Sequence, residues 1–157
     1  MAASARVRVY KIKSRPGIRY ACDLRRRRTR FLTEEVLGSS SKSATSFRVA
    51  GAYVAYKSEE CDRGEECTTS IFVVNGVTGR YRPQPGPVAG VASALRVNAD
   101  GVAAYIDTRD ETIAVRAVTR SSALVLAEST EIDPSSLALG NGWIYWTEAD
   151  RPRSASI

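Results

Sequence analysis

The chain has 157 residues, 43% of them hydrophobic, and a formal net charge of +6, which suits one domain with a real core and argues against a disordered chain. No stretch approaches the roughly 18–20 apolar residues of a membrane helix, and the start, MAASARVRVYKIKSRPGIRY, lacks the apolar run of a secretory signal. Histidine is absent, so neither a Ser-His-Asp nor a Cys-His site can be built, and the three cysteines alone cannot complete a standard four-ligand zinc centre.

In chain order, RVRVYKIK is the first strand-like run, followed by the turn SRPG, then IRYACDL and RTRFLT. This opening is strongly basic. Residues 1–30 carry eleven arginines and lysines against Asp23 alone, whereas the remainder carries twelve against sixteen carboxylates. Arg25, Arg26, Arg27, Arg28 and Arg30 in LRRRRTR are the candidate polyanion-binding residues, since cations near phosphates give salt-dependent affinity without sequence readout. Only Tyr20 and Phe31 flank the run, so no aromatic platform for single strands is expected. A solvated hairpin would carry the same residues. So would an internal contact with the acidic loop Glu59, Glu60, Asp62, Glu65 and Glu66.

FRVAGAYVAYKS and TTSIFVVNGVTGRYR are rich in Val, Tyr, Phe and Ile and punctuated by Gly51 and Gly79. Between them, ECDRGEEC places Cys61 and Cys67 at the ends of a hairpin loop. Strand ends meet in a hairpin, so a disulfide is geometrically reasonable; two reduced thiols are the alternative. Cys22, in the alternating run IRYACDL, reads as a buried free thiol. The acidic loop matches no EF-hand spacing, and no metal or cofactor site is assigned. ALRVNADGVAAYIDTRD forms two runs around Asp100-Gly101, a strong hairpin signal. ETIAVRAVTR and SALVLAES follow, and LALGNGWIYWTE again turns at Asn141-Gly142.

Three of these segments align: FRVAGAYVAY, LRVNADGVAAYI and LALGNGWIYWT. Phe47, Leu95 and Leu137 open the copies; Gly51, Gly101 and Gly142 mark the turns; Tyr56, Tyr105 and Tyr145 fall late in the second strand. The third strand recurs at Ile71, Ile113 and Ala155, at intervals of 42 residues. A period of roughly 40–45 residues with four short strands is the range of a propeller blade. The pattern predicts one all-β domain over 1–157, with a partial blade at 1–37, blades at 45–90 and 93–130, and a partial blade at 135–157. Blades of four antiparallel strands, about three in all, would form an incomplete ring. The last repeat lacks a fourth strand and the first lacks its inner one. Such open edges point to a longer propeller or to self-association.

The clearest copy carries Asn98-Ala99-Asp100-Gly101 before an aromatic strand. It resembles the repeat of TolB-type β-propellers, whose strand ends in Ser-Pro-Asp-Gly before such a strand. Here serine and proline are replaced, and the other copies keep only the glycines. The resemblance covers roughly residues 45–157. It implies a fold more than an activity, and an extracytoplasmic location; with Cys61 and Cys67 it points to a secreted or periplasmic protein.

Trp143 and Tyr145 share one face of a strand and are candidate ligand-groove residues, with Trp146 on the other face; packing between repeats is the plainer role for this cluster. Asp107, Asp110, Glu111 and Asp133 are scattered over loops, and none is nominated as catalytic. The reading is a non-catalytic binding or scaffold module that presents loops to a protein or other ligand. The rivals are part of a propeller hydrolase or lyase, against which the lack of histidine and of a nucleophile motif weighs, and a polyanion-binding module using the basic segment.

Overall fold

The computed structural model describes residues 2–35, 40–62, 67–83, 88 and 90–157. Thirteen strands form four antiparallel sheets, and no helix occurs among the described residues. The first sheet holds β1 (Val7–Ile12), β2 (Arg15–Asp23) and β3 (Arg28–Glu34) in sequential order. The second holds β4 (Ser40–Ala50), β5 (Tyr53–Asp62) and β6 (Thr68–Asn75). The third is a four-stranded meander of β7 (Val91–Val97), β8 (Ala103–Arg109), β9 (Thr112–Val118) and β10 (Ala123–Ser129). The fourth holds β11 (Ala138–Gly140), β12 (Trp143–Glu148) and β13 (Arg151–Ser156), and no sheet is closed. β4 starts at Ser40, ahead of the run FRVA that suggested it.

Among the described residues, a four-stranded sheet forms only in the third case. After β6, the backbone touches it at two isolated bridges, Val74 with Tyr81 and Thr69 with Val88. Pro83, Pro85 and Pro87 stand in this stretch, and proline has no N–H to give a ladder. At the other extreme, residues 2–4 fold back on β1: the Val9 N–H donates to Ala2 O at 2.9 Å and the Ser4 N–H to Val7 O at 2.8 Å. They take part of the position where an inner strand was missing.

Consecutive sheets pack face to face through three cores. Val7, Val9, Ala21 and Leu32 of the first sheet meet Val54, Tyr56 and Val74 of the second. Ala55, Ile71 and Val73 of the second meet Leu95, Ala103, Tyr105 and Val118 of the third. Ala104, Ile106, Val115 and Ala117 of the third meet Leu137, Ile144 and Trp146 of the fourth. Successive side chains of a strand point to opposite faces. Val54 and Tyr56 therefore enter one core while Ala55 enters the next, and Tyr105 and Ile106 divide likewise. The two inner sheets are buried on both faces, which is why YVAY and AAYI are nearly unbroken apolar runs.

The residues that open the repeats fall where the alignment places them; Tyr145 does not, nor does Ala155, which faces the preceding sheet where Ile71 and Ile113 face the following one. Phe47, Leu95 and Leu137 each join the core between their own sheet and the preceding one. Phe47 and Leu95 follow matching bulges, with Ser46 at φ 54° and Ala94 at φ 49°. In both, the next arginine folds back: Arg48 donates to Phe47 O and Arg96 to Leu95 O, each at 3.1 Å. Tyr145 breaks the pattern. It is exposed, and Trp146 takes the core position that Tyr105 holds in the third sheet. A one-residue shift in register sends a side chain to the opposite face.

Hairpin turns alternate between two ends of this stack. Residues 24–27, 51–52, 98–102, 119–122 and 141–142 lie at one end. The turns at 13–14, 110–111 and 149–150 and the Cys61 end of β5 lie at the other. Contacts tie the first end together: Ser4 Oγ donates to Gly51 O at 2.7 Å, Gly51 abuts Ala99, and Gly101 abuts the Tyr53 ring. Gly101 is at φ +80°, and a Cβ there would lie 2.5 Å from Tyr53 Cδ1.

Replacing Gly101 with alanine is expected to cost about 2–4 kcal/mol, combining left-handed strain with overpacking. Gly140→Ala, where a Cβ meets nothing within 4 Å, is expected to stay within about 0.5 kcal/mol of wild type. Urea unfolding of both variants checks the pair.

Burial pushes the Tyr105 hydroxyl up to about 12, with Asp107 adding to the shift and Arg116 opposing it. Burial also raises Tyr56, helped by Tyr81. A raised folded pKa gives stability that is whole below the unfolded value of about 10 and lost as pH climbs through the folded one. Stability should therefore fall between pH 10 and 12, with Tyr105 responsible for about 2–3 kcal/mol. In denaturant titrations across that window wild type should lose about 2–3 kcal/mol more stability than Tyr105→Phe; parallel curves would remove Tyr105 as the cause.

Candidate functional site

The arginine run forms the β2–β3 hairpin tip. Asp23 is buried there, and its Oδ1 accepts the backbone N–H of Arg25 at 3.0 Å and of Arg26 at 3.3 Å. Arg27 takes the left-handed conformation, φ 52°. The only carboxylate of this segment is thus spent on the turn, and Arg25–Arg28 stand exposed around it. Arg30 leans across to the second sheet, where its Nε donates to Val77 O at 3.2 Å.

The 75–80 turn that receives Arg30 is set by Asn75, whose Oδ1 accepts the N–H groups of Val77 and Thr78, both at 3.0 Å. Beyond it, Tyr53, Asn75, Arg80, Arg82, Asp100 and Arg120 line a cleft of about 760 Å³. Arg82 is the most constrained of the three arginines. Its Nη2 donates to the Tyr53 hydroxyl at 2.7 Å and to Asp100 O at 2.8 Å. Its guanidinium carbon lies 4.8 Å from the centre of the Tyr53 ring, a cation–π contact.

Carboxylates are segregated between the two ends, whereas arginines and lysines occur at both. Arg6, Arg25–Arg28, Arg30, Arg80, Arg82 and Arg120 sit at or beside the first end, with only Asp23 and Asp100 among them. All other described carboxylates lie in the opposite half, from Glu34 and Glu59 to Glu128 and Glu148. The ion pairs follow: Arg19–Glu35, Lys42–Glu60, Lys57–Glu59, Arg116–Asp107 and Arg153–Glu148. Among the described residues, none involves an arginine of the basic end.

The expected contact between the arginine run and the acidic loop is therefore not made by Glu59 or Glu60, which engage lysines at the other end. Antiparallel hairpins put these two turns at opposite ends of their sheets. Glu65, Glu66 and the Asp62 side chain lie outside the described residues. Cys61 and Cys67 are joined as a disulfide with Cα atoms 4.2 Å apart, closing the β5–β6 hairpin. Cys22 is free, and it is half-buried rather than buried.

Trp143 and Tyr145 are 43% and 44% exposed on one face of β12, while Trp146 is 7% exposed in the core. Packing therefore accounts for Trp146 and leaves the other two on the surface. An unforeseen aromatic row crosses the first sheet. Tyr10 stacks on Tyr20 at 5.8 Å, and Tyr20 meets Phe31 edge-on at 6.4 Å. These rings pack on one another as cross-strand pairs.

Asp107 is 3% exposed and accepts from Arg116 Nε at 2.9 Å through Oδ2, while Oδ1 has no partner. Asp110 and Glu128 line the same small cavity. Glu111 and Asp133 are exposed, and hydrogen bonds from Ser135 hold the Asp133 carboxyl below its usual range. Among the described residues, no group of three or more acidic or cysteine side chains is placed to hold a metal.

Arg80, Arg82, Arg120 and Tyr53 were not singled out from the sequence. The alternation in GRYR puts Arg80 and Arg82 on one side, a signal that could have been read. Their approach to the 98–102 and 119–122 turns depends on how the sheets stack. In comparison with known proteins, the chain matches no family model, no curated protein and no solved structure.

The disulfide closes a loop of seven residues, for which chain entropy predicts about 2 kcal/mol of stabilisation. The Cys61–Cys67 peptide should run two hydrogens lighter before reduction than after, by mass spectrometry, and reduction should lower the unfolding midpoint without abolishing the fold. Two free thiols in material from an oxidising compartment would contradict the pairing.

Proposed function

We propose that the chain is a propeller-like, non-catalytic binding module that presents the turns of its basic end to an anionic partner. The observation that carries this reading is the cluster of arginines at one end with no carboxylate paired to them among the described residues. Unneutralised cations on neighbouring loops raise the local potential and draw in anions. The propeller-like part of the reading is supported by the stacking of the four sheets in chain order and by the recurrence of Phe47 and Leu95 in successive cores; the TolB-type resemblance rests on the sequence alone. The disulfide suits an oxidising compartment.

Association through strand edges is the weaker route to a partner. β13 is an edge strand, but Pro152 sits in it between Arg151 and Arg153, the residue types that blunt edges. Part of the β1 edge is already taken by residues 2–4.

Binding should be electrostatic. On immobilised heparin, used as a generic polyanion, retention should fall steeply with salt. Replacing Arg25, Arg26, Arg27 and Arg28 together with serine should move elution to markedly lower salt, while Lys42→Ser at the opposite end should not. Retention that ignores salt, or that responds equally to both changes, would refute the assignment of the binding face.

A further inference from the structure

We propose that the cleft bounded by Tyr53, Arg80, Arg82 and Arg120 binds a single oxyanion ester group, a sulfate or phosphate carried on a larger ligand. The inference rests on the anion-binding reading above and assigns it a site. Three guanidinium groups line one volume of about 760 Å³ against one carboxylate, that of Asp100. That volume lies within the roughly 300–1,000 Å³ of ordinary ligand pockets.

Arg82 is the anchor. Its two bonds from Nη2 and its contact with the Tyr53 ring fix the guanidinium before any ligand arrives, so little side-chain entropy remains to be lost on binding. Both N–H groups of Nη2 are spent and Nε is withdrawn from solvent, so Nη1, which has no bond among the described residues, is the nitrogen left to meet a tetrahedral oxyanion. Asn75 spends Oδ1 on the backbone, which leaves its amide N–H groups as the donors it can offer. Arg80 and Arg120 are exposed around the cleft and add charge without fixed geometry.

The Tyr53 ring does not offer a stacking surface. Arg82 covers the Tyr53 ring and Gly101 presses on it. Tyr81 meets Phe72 edge-on, and its hydroxyl donates to Leu32 O at 3.2 Å. Recognition by the arginines is by charge and hydrogen bonding, with no Tyr53 face laid open for base stacking. Arg30, held on Val77 at the border of the 75–80 turn, links the cleft to the Arg25–Arg28 hairpin. A ligand longer than one ester group can continue across it.

Calorimetric titration across a range of salt tests the site with three probes: a sulfated heparin hexasaccharide, a single-stranded oligonucleotide of equal charge, and inorganic phosphate. Arg82→Lys keeps the charge and loses the planar fork; it should weaken hexasaccharide binding about tenfold and leave the salt slope unchanged. Arg120→Ser makes no demand on the Tyr53 contact; it should weaken binding and flatten the log–log salt slope by about one. Unfolding midpoints confirm that both variants fold. Arg82-dependent binding of either polymer supports the site, and the tighter one identifies its ester as sulfate or phosphate; competition by inorganic phosphate supports it further. If both variants bind every probe as wild type does while the Arg25–Arg28 serine quartet loses binding, the cleft assignment is overturned and the basic face stands. If the quartet also binds as wild type, both readings fall.

Discussion

Two-sided burial of the inner sheets is the constraint on which the rest of the structure depends. No sheet here exceeds four strands, and such small sheets are not stable alone in water with one apolar face open. Each is held by the next. In β8 this demands that Ala103 and Tyr105 fit one neighbour while Ala104 and Ile106 fit another. Fully burying a side chain such as Ile106 is worth about 1.5–3 kcal/mol, so most stabilisation lies between sheets rather than within them. The alternation of alanine with a large residue in AAYI lets each face approach its neighbour closely.

Because the cores tie the sheets face to face, the turns are carried into register at the ends of the stack. Gly51 against Ala99 and Gly101 against Tyr53 are the points where neighbouring turns touch. This brings Arg82 beside Asp100 although eighteen residues separate them. It also sets Arg30 on Val77. The cleft is a by-product of stacking: the 75–80 turn of the second sheet meets the 98–102 and 119–122 turns, which flank the paired strands β8 and β9 of the third.

Strand positions were largely legible in the sequence, since period-two alternation and glycine-marked turns are local signals. The repeat alignment of Phe47 and Leu95 was legible for the same reason, and so was the disulfide, because hairpin geometry alone brings Cys61 and Cys67 together. Tyr145 misled because three aromatic residues in WIYW satisfy either register, and only the packed face decides between them. The cleft stayed hidden because it depends on contacts between sheets, and no local pattern encodes them. The alternative that paired the arginine run with the acidic loop is not met by Glu59 or Glu60, since nearness in sequence between consecutive hairpins says nothing about which end each turn occupies.

The separation of charge along the strands makes the molecule a macroscopic electric dipole. A seven-residue strand such as β8 spans about 23 Å at 3.3 Å per residue. At physiological ionic strength the screening length is about 8 Å, so a partner touching the arginine end is nearly blind to the carboxylates at the far end. At about 0.01 M salt the screening length grows to about 30 Å, and the partner senses the whole body with its modest net charge of +6. The dipole then exerts a torque on the molecule before contact, turning the arginine end toward a negative surface. Dilute salt therefore aligns the protein in flight, while physiological salt lets one end act as though the other were absent.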